Sequence, residues 1–144
     1  MTSEFMRNLL SKDEKITVEY KSCQYGIQED VYETVCSFSN RYGGYIIMGA
    51  EDDGTPIGVK QNMVKDMKRN FVNQLNNPDK MSPTLYLSIE DFEYEGKILL
   101  WVYVPPTATV EKCGNRIYDR NEDGDMDITD SPIQLQNMYN RKST

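Results

Sequence analysis

Apolar residues in this chain follow two periods, and each switch between them marks a predicted element. Over 16–21 the run Ile-Thr-Val-Glu-Tyr-Lys alternates and is β-branched, which predicts a strand broken by Gly26. Ile27, Val31, Val35 and Phe38 then recur at steps of four and three, one face of a helix. Gly43-Gly44 ends it, and Tyr45-Ile-Ile-Met48 is a short apolar run of the buried-strand kind, closed by Gly49. Residues 51–54 carry turn chemistry, and 56–59 form a short returning segment. Met63, Met67, Phe71 and Leu75 predict a second helix, stopped by Asn76-Asn-Pro78.

Two further strands are expected over 85–90 and 98–104, joined by a hairpin turn at Glu95-Gly96-Lys97. Pro105-Pro106 closes the second. A short strand at 116–118, an acidic loop and a helix over 131–141 follow. The first dozen residues present Phe5, Leu9 and Leu10 as a helical stripe. The order β-α-β-α-β-β-β-α predicts an α+β fold, a mixed sheet with helices packed against it. With 144 residues and no linker, repeat or low-complexity tract, the whole chain is expected to be one domain.

Composition removes several kinds of chemistry. The chain has no histidine, which excludes Ser-His-Asp and Cys-His catalysis and any histidine general base. Cys23, Cys36 and Cys113 are an odd number with no CxxC spacing, so neither a disulfide framework nor a zinc site is expected, and the cytoplasm is the natural compartment. No apolar run approaches the ~20 residues needed to span a bilayer, so no membrane association is expected.

The net charge of −7 argues against strong nonspecific nucleic-acid binding, but the charge is uneven. Six acidic residues and one arginine lie between Asp119 and Asp130, whereas Lys60 to Lys80 carries five bases and two acids. Lys65, Lys68 and Arg69 fall on one side of the second predicted helix, opposite Met67 and Phe71. With Lys60, Arg41 and Arg120 they are the candidates for phosphate contact. Tyrosines could stack on bases, although Tyr86 and Tyr103 alternate within expected strands and are read as structural, and Trp101 as core. Gly43-Gly44 closes a helix and opens a strand, the reverse of a phosphate cradle. Asp119, Asn121, Asp123, Asp127 and Asp130, with Gly124, match the oxygen-ligand spacing of a calcium loop. A preceding strand in place of a helix and an aspartate at the last position depart from it, so no resident metal is expected.

The stretch Asn40-Arg-Tyr-Gly-Gly-Tyr-Ile-Ile-Met-Gly-Ala-Glu-Asp-Asp-Gly54 resembles the signature of the Schlafen/AlbA-like domain family: a helix ending in Asn, two glycines, an apolar strand, then Gly and an acidic turn. Glu19-Tyr20-Lys21, Val35-Cys-Ser-Phe-Ser-Asn40, Ile57-Gly58-Val59, Gly96-Lys97, Val104-Pro105 and Ile117-Tyr118-Asp119-Arg120 fall, in order, where that family carries similar patterns. The resemblance spans roughly 12 to 142. It implies a noncatalytic nucleic-acid-binding domain of a bacterial transcriptional regulator, DNA ahead of RNA, with homodimerisation and further C-terminal domains as expected company. It also implies an alternative. RNA-cleaving Schlafens hold a divalent cation with two glutamates five residues apart and an aspartate, and Glu14, Glu19 and Asp52 (or Glu51) stand in those places, which would take magnesium or manganese. In the binding-only reading, Glu19 pairs with a lysine. A protein-interaction or dimerisation module is the third reading.

Overall fold

The structure is a computed structural model that describes residues 1–11 and 16–143. Its centre is a four-stranded mixed sheet in the order β1 (Val18–Lys21), β2 (Gly44–Met48), β5 (Lys97–Val104), β4 (Glu90–Tyr94). β1 and β2 are parallel, so the chain must cross over between them, and α2 (Asp30–Ser39) is that crossover. The other two pairings are antiparallel, with Tyr45 opposite Tyr103 and Ile47 opposite Trp101.

Period-two alternation gives the sheet two apolar faces. One, bearing Ile46, Met48, Leu100, Val102 and Val104, is covered by α2 and by α3 (Val64–Leu75), which insert Val31, Val35, Phe38, Met67, Phe71 and Leu75. The other, bearing Val18, Tyr20, Ile47 and Leu99, is covered by α1 (Ser3–Leu10) through Met6, Leu9 and Leu10. Phe5, expected in that apolar stripe, instead sits at the edge, 43 % exposed. β3 (Met81–Ser82) pairs with β6 (Lys112–Cys113), and β7 (Tyr118–Asn121) with β8 (Gly124–Asp127), as two small ribbons. A C-terminal helix, α4 (Pro132–Lys142), completes the chain.

The glycine pair between α2 and β2 is required twice over. Gly43 has φ +73° and donates its N–H to the Phe38 carbonyl, closing the helix in the left-handed region that glycine enters freely. At Gly44 a Cβ would lie 2.6 Å from the Thr17 carbonyl oxygen and 2.8 Å from the Phe38 ring, so backbone and ring pack where a side chain would stand.

One expected strand is displaced. Residues 85–89 alternate in burial as predicted, but the ladder begins only at Glu90, opposite Trp101. The segment is held instead by the Leu85 N–H on the Leu75 carbonyl. The hairpin turn stands where expected, with Glu95 and Gly96 both at positive φ. The strand expected at 116–118 begins two residues later, at Tyr118. Trp101 is half-buried, not core, beside Tyr45 on the face that α1 only partly covers.

α4 is fastened by its last turn. Lys142 Nζ donates to the Ser39 carbonyl (3.0 Å), Asn40 Oδ1 (2.8 Å), Thr107 Oγ1 (3.1 Å) and the Thr109 carbonyl (2.7 Å), and Arg141 to the Asn40 carbonyl (2.8 Å). Two cations thus meet carbonyls at the C-terminal end of α2, where the helix dipole favours them. Beneath them Glu111 is fully buried and neither carboxyl oxygen has a hydrogen-bond partner. Burial pushes its carboxyl from 4.5 up to about 8, with Lys142 opposing, and burial pushes Lys142 down to about 8.

An acid whose folded pKa is raised destabilises the fold progressively as pH climbs from its unfolded to its folded value. Glu111→Gln, which cannot ionise, should therefore match the parent near pH 5 and exceed it by about 2–4 kcal/mol at pH 8 in urea melts. A difference that does not grow with pH would show that Glu111 is not a buried acid.

Candidate nucleic-acid interface

Two grooves of opposite charge flank the sheet. One, about 620 Å³, lies beyond the C-terminal end of β1, between the loop leading into α2 and the acidic turn at 51–53. Glu19, Asp30, Glu51, Asp52 and Asp53 line it, against a single base, Lys21. Lys21 is itself bound to Asp30 at 2.8 Å, which helps hold its ammonium above the ordinary lysine range against the opposing effect of burial. A polyanion is repelled by such a lining.

Glu19 and Asp52 do line one cleft, but Glu19 is already engaged. Its Oε1 accepts from Arg120 Nη1 at 2.8 Å, with the carboxylate only 11 % exposed and the guanidinium 1 %. The partner is thus a buried arginine, not the expected lysine. Arg120 also bonds Asp125 (2.9 Å) and lies over the Phe38 ring, 4.7 Å from its centroid. Asp125 in turn accepts from Thr34 and Ser37 of α2. Among the described residues no three acidic or thiol groups converge on a point where a metal ion would sit. Glu14 lies outside the described residues.

The calcium spacing dissolves in the same way. The stretch folds as the β7–β8 hairpin, and its carboxylates diverge: Asp119 to Arg41, Asp125 to Arg120, Asp127 to Arg116. Asp119 and Asn121 share one face of the ribbon, whereas the hairpin register sets Asp127 opposite Tyr118 on the other, so these ligands do not converge.

The second groove runs along α3. Three adjoining depressions, of about 220, 390 and 400 Å³, share Gln61 and Ile98 at one junction and Lys68 at the next. One wall is the 3₁₀ turn Gln61–Met63 and α3, and the other is the start of β5 and the segment leading into β4. Backbone bonds set the walls: Val59 N–H to the Ile98 carbonyl, and Lys60 N–H to the Gln24 carbonyl. Five bases line this groove, Lys60, Lys65, Lys68, Arg69 and Lys97, against two carboxylates, Glu90 and Asp91.

Four of the six candidate phosphate contacts therefore share one groove. Among the described residues Lys60, Lys65 and Lys97 carry no ion pair. Lys68 pairs with Asp91, which holds that carboxyl below its usual range, and Arg69 pairs with Asp66 at 2.6 Å. The other two candidates stand elsewhere. Arg120 is interior, 2 % exposed, and so corrects its assignment as a surface phosphate contact. Arg41 is half-buried beside α2 and grips Asp119 through two nitrogens, at 3.0 and 2.6 Å.

Sequence reasoning missed Lys97 and misplaced Tyr86. Lys97 follows the positive-φ turn, and its outward direction needed only the β5 register to be read. Tyr86 is 84 % exposed and lines the groove, because Leu85, Leu87 and Ile89 take the core side of their alternating segment. Its neighbours in sequence therefore carried the signal.

A family model described as Schlafen, AlbA_2 matches residues 14–129. Among solved structures, the N-terminal domain of an ATP-dependent DNA helicase RecG-related protein from Nitrosomonas europaea is similar at 26 % identity and TM-score 0.58, over 72 % of each chain. The DIP2311 protein from Corynebacterium diphtheriae shares the fold at 16 % identity and TM-score 0.61, over 87 % of this chain and 30 % of its own. No curated protein sequence matches the chain.

The Arg120 cluster makes a direct stability prediction. Removing the one cation shared by two partly buried carboxylates should cost about 3–5 kcal/mol. We expect Arg120→Met to lose that much in chemical denaturation at pH 7, and added Glu19→Gln to restore part of it. Parent-like stability of Arg120→Met would mean that water, not the guanidinium, solvates these carboxylates.

Proposed function

The chain belongs to the Schlafen, AlbA_2 family, and from that premise we propose that it is a noncatalytic nucleic-acid-binding domain, gripping the backbone through the α3 groove. The observation that carries this reading is the contrast between the grooves: five bases to two carboxylates along α3, one base to five carboxylates at the acidic cleft. A phosphate backbone is drawn to the first, whatever the −7 total, because contacts are made with the local surface within a Debye length. The unpaired lysines donate at no cost in broken ion pairs, and Lys68 and Arg69 sit where phosphate can compete with Asp91 and Asp66.

DNA is placed ahead of RNA, since the name of the Nitrosomonas europaea relative is that of a DNA helicase-related protein. We place the domain in the cytoplasm as the recognition piece of a bacterial transcriptional regulator, with further C-terminal domains and homodimerisation consistent with that role. No helix among the described residues is long and apolar enough to cross a membrane. The engagement of Glu19 by the buried Arg120 guanidinium supports binding without cleavage.

The test is charge reversal at the three unpaired lysines. Lys60→Glu, Lys65→Glu and Lys97→Glu together should leave the thermal transition within a few degrees of the parent and abolish binding to labelled oligonucleotides at low salt. Single reversals should each lower the slope of log affinity against log salt by about 0.7–0.9. Full affinity in the triple variant would move the interface away from α3.

A further inference from the structure

The α3 groove carries more than charge. An exposed tyrosine stands at each end of it. Tyr86 is 84 % exposed and lines the depression that contains Lys68 and Arg69. Tyr25 is 67 % exposed and follows Gln24 at the other end, with the Lys60 ammonium 5.6 Å from its ring centroid. Among the described residues neither ring packs against another aromatic side chain, whereas the rings of Tyr32, Tyr45, Trp101 and Tyr103 are all in aromatic contacts. Exposing a phenol ring to this extent forgoes the burial that large aromatics otherwise supply.

The backbone that carries each ring is anchored. The chain beside Tyr86 is anchored by Leu85, Leu87 and Ile89 in the core and by the Leu85 N–H bond to α3. The chain beside Tyr25 is anchored by the bond between Gln24 and Lys60 and by buried Cys23. The wall between them, from Gln61 to Asn73, spans about 20 Å at the rise of a 3₁₀ turn followed by an α-helix. Lysines at 60, 65, 68 and 97 lie along that length.

Rings at the ends and cations between them match the chemistry of an unpaired strand, whose bases offer π-faces and whose phosphates follow the groove. A duplex stacks its bases on one another and offers a side wall only phosphates and groove edges. We infer that the α3 groove binds single-stranded nucleic acid, with unpaired bases stacked on Tyr86 and Tyr25 and the intervening phosphates on the lysines. This rests on the nucleic-acid reading above and adds the strand state and the two stacking residues.

The experiment uses the whole chain and four fluorescein-labelled probes: oligo(dT), oligo(U), and duplex DNA and duplex RNA of equal length. Their affinities are read by anisotropy at two salt concentrations. Parent protein should prefer either single strand to its duplex, and the ratio of oligo(dT) to oligo(U) tells DNA from RNA. Tyr86→Leu and Tyr25→Leu should each weaken single-strand binding by about five- to hundred-fold, with duplex affinity and salt slope unchanged. Tyr86→Phe, which keeps the ring, should restore it. Both tyrosines are exposed, so the leucine variants should fold, and an unchanged thermal transition checks this.

Leucine variants that bind single strands like the parent, in a protein whose affinity the lysine reversals abolish, overturn the stacking and leave the nucleic-acid reading standing. Equal losses on single strand and duplex also overturn it. A parent that binds none of the four probes overturns both.

Discussion

The fold turns on one buried cation. Arg120 comes from the hairpin near the end of the chain, reaches 101 residues back to Glu19 on β1, and meets Asp125 of its own hairpin on the way. Its guanidinium also donates to the carbonyls of Ile16 and Val18, and lies over Phe38 of α2. A guanidinium can satisfy this many acceptors in one plane, and its delocalised face tolerates an aromatic neighbour. Sheet, crossover helix and hairpin are thereby locked by charge pairing as well as by apolar contact. That demands near-complete satisfaction, since an unpaired charge at this depth is costly.

That lock has a functional consequence. The acidic cleft opens at the end of β1, where Glu19 stands, and a free carboxylate there would be available for chemistry. Here it is held by Arg120. The cleft around it keeps a strongly acidic rim, which keeps phosphates away from this side of the molecule. Along α3 the domain presents cations in a second groove, whose other wall is the start of β5 and the segment leading into β4. The domain therefore carries two grooves of opposite charge, and its acidic total conceals a local surface of opposite sign.

Asn40 plays a second integrating part. Fully buried at the end of α2, it donates to the carbonyls of Glu111 and Tyr118 and accepts from the Glu111 N–H and Lys142. One amide side chain therefore ties α2, the loop before β6, β7 and α4 together. An asparagine at a helix end is usually accounted for by turn chemistry alone. Here its hydrogen-bonding capacity is spent across four segments, and neither aspartate nor a shorter side chain reproduces that pattern of donors and acceptors.

The local elements were legible in the sequence because local rules decide them. The 27–38 and 63–75 periodicities, the glycine pair, the 95–97 turn and the apolar run at 45–48 each follow from side-chain spacing or backbone freedom over a few residues, and each stands where expected. The family signature was legible for the same reason, being a string of such elements in order. Four of the six candidate bases fell in one groove because they lie on or beside a single helix, whose geometry is set by its own 3.6-residue repeat. What only the tertiary structure decided were the long-range questions: that Arg120 points inward, that Glu19 pairs with an arginine 101 residues away, that the acidic stretch folds as a hairpin with diverging carboxylates, and that Lys97 joins Lys60. A charged side chain reads alike on paper whether it faces water or a buried counter-charge. The difference lies in which distant segment packs over it, and spacing along the chain carries no record of that.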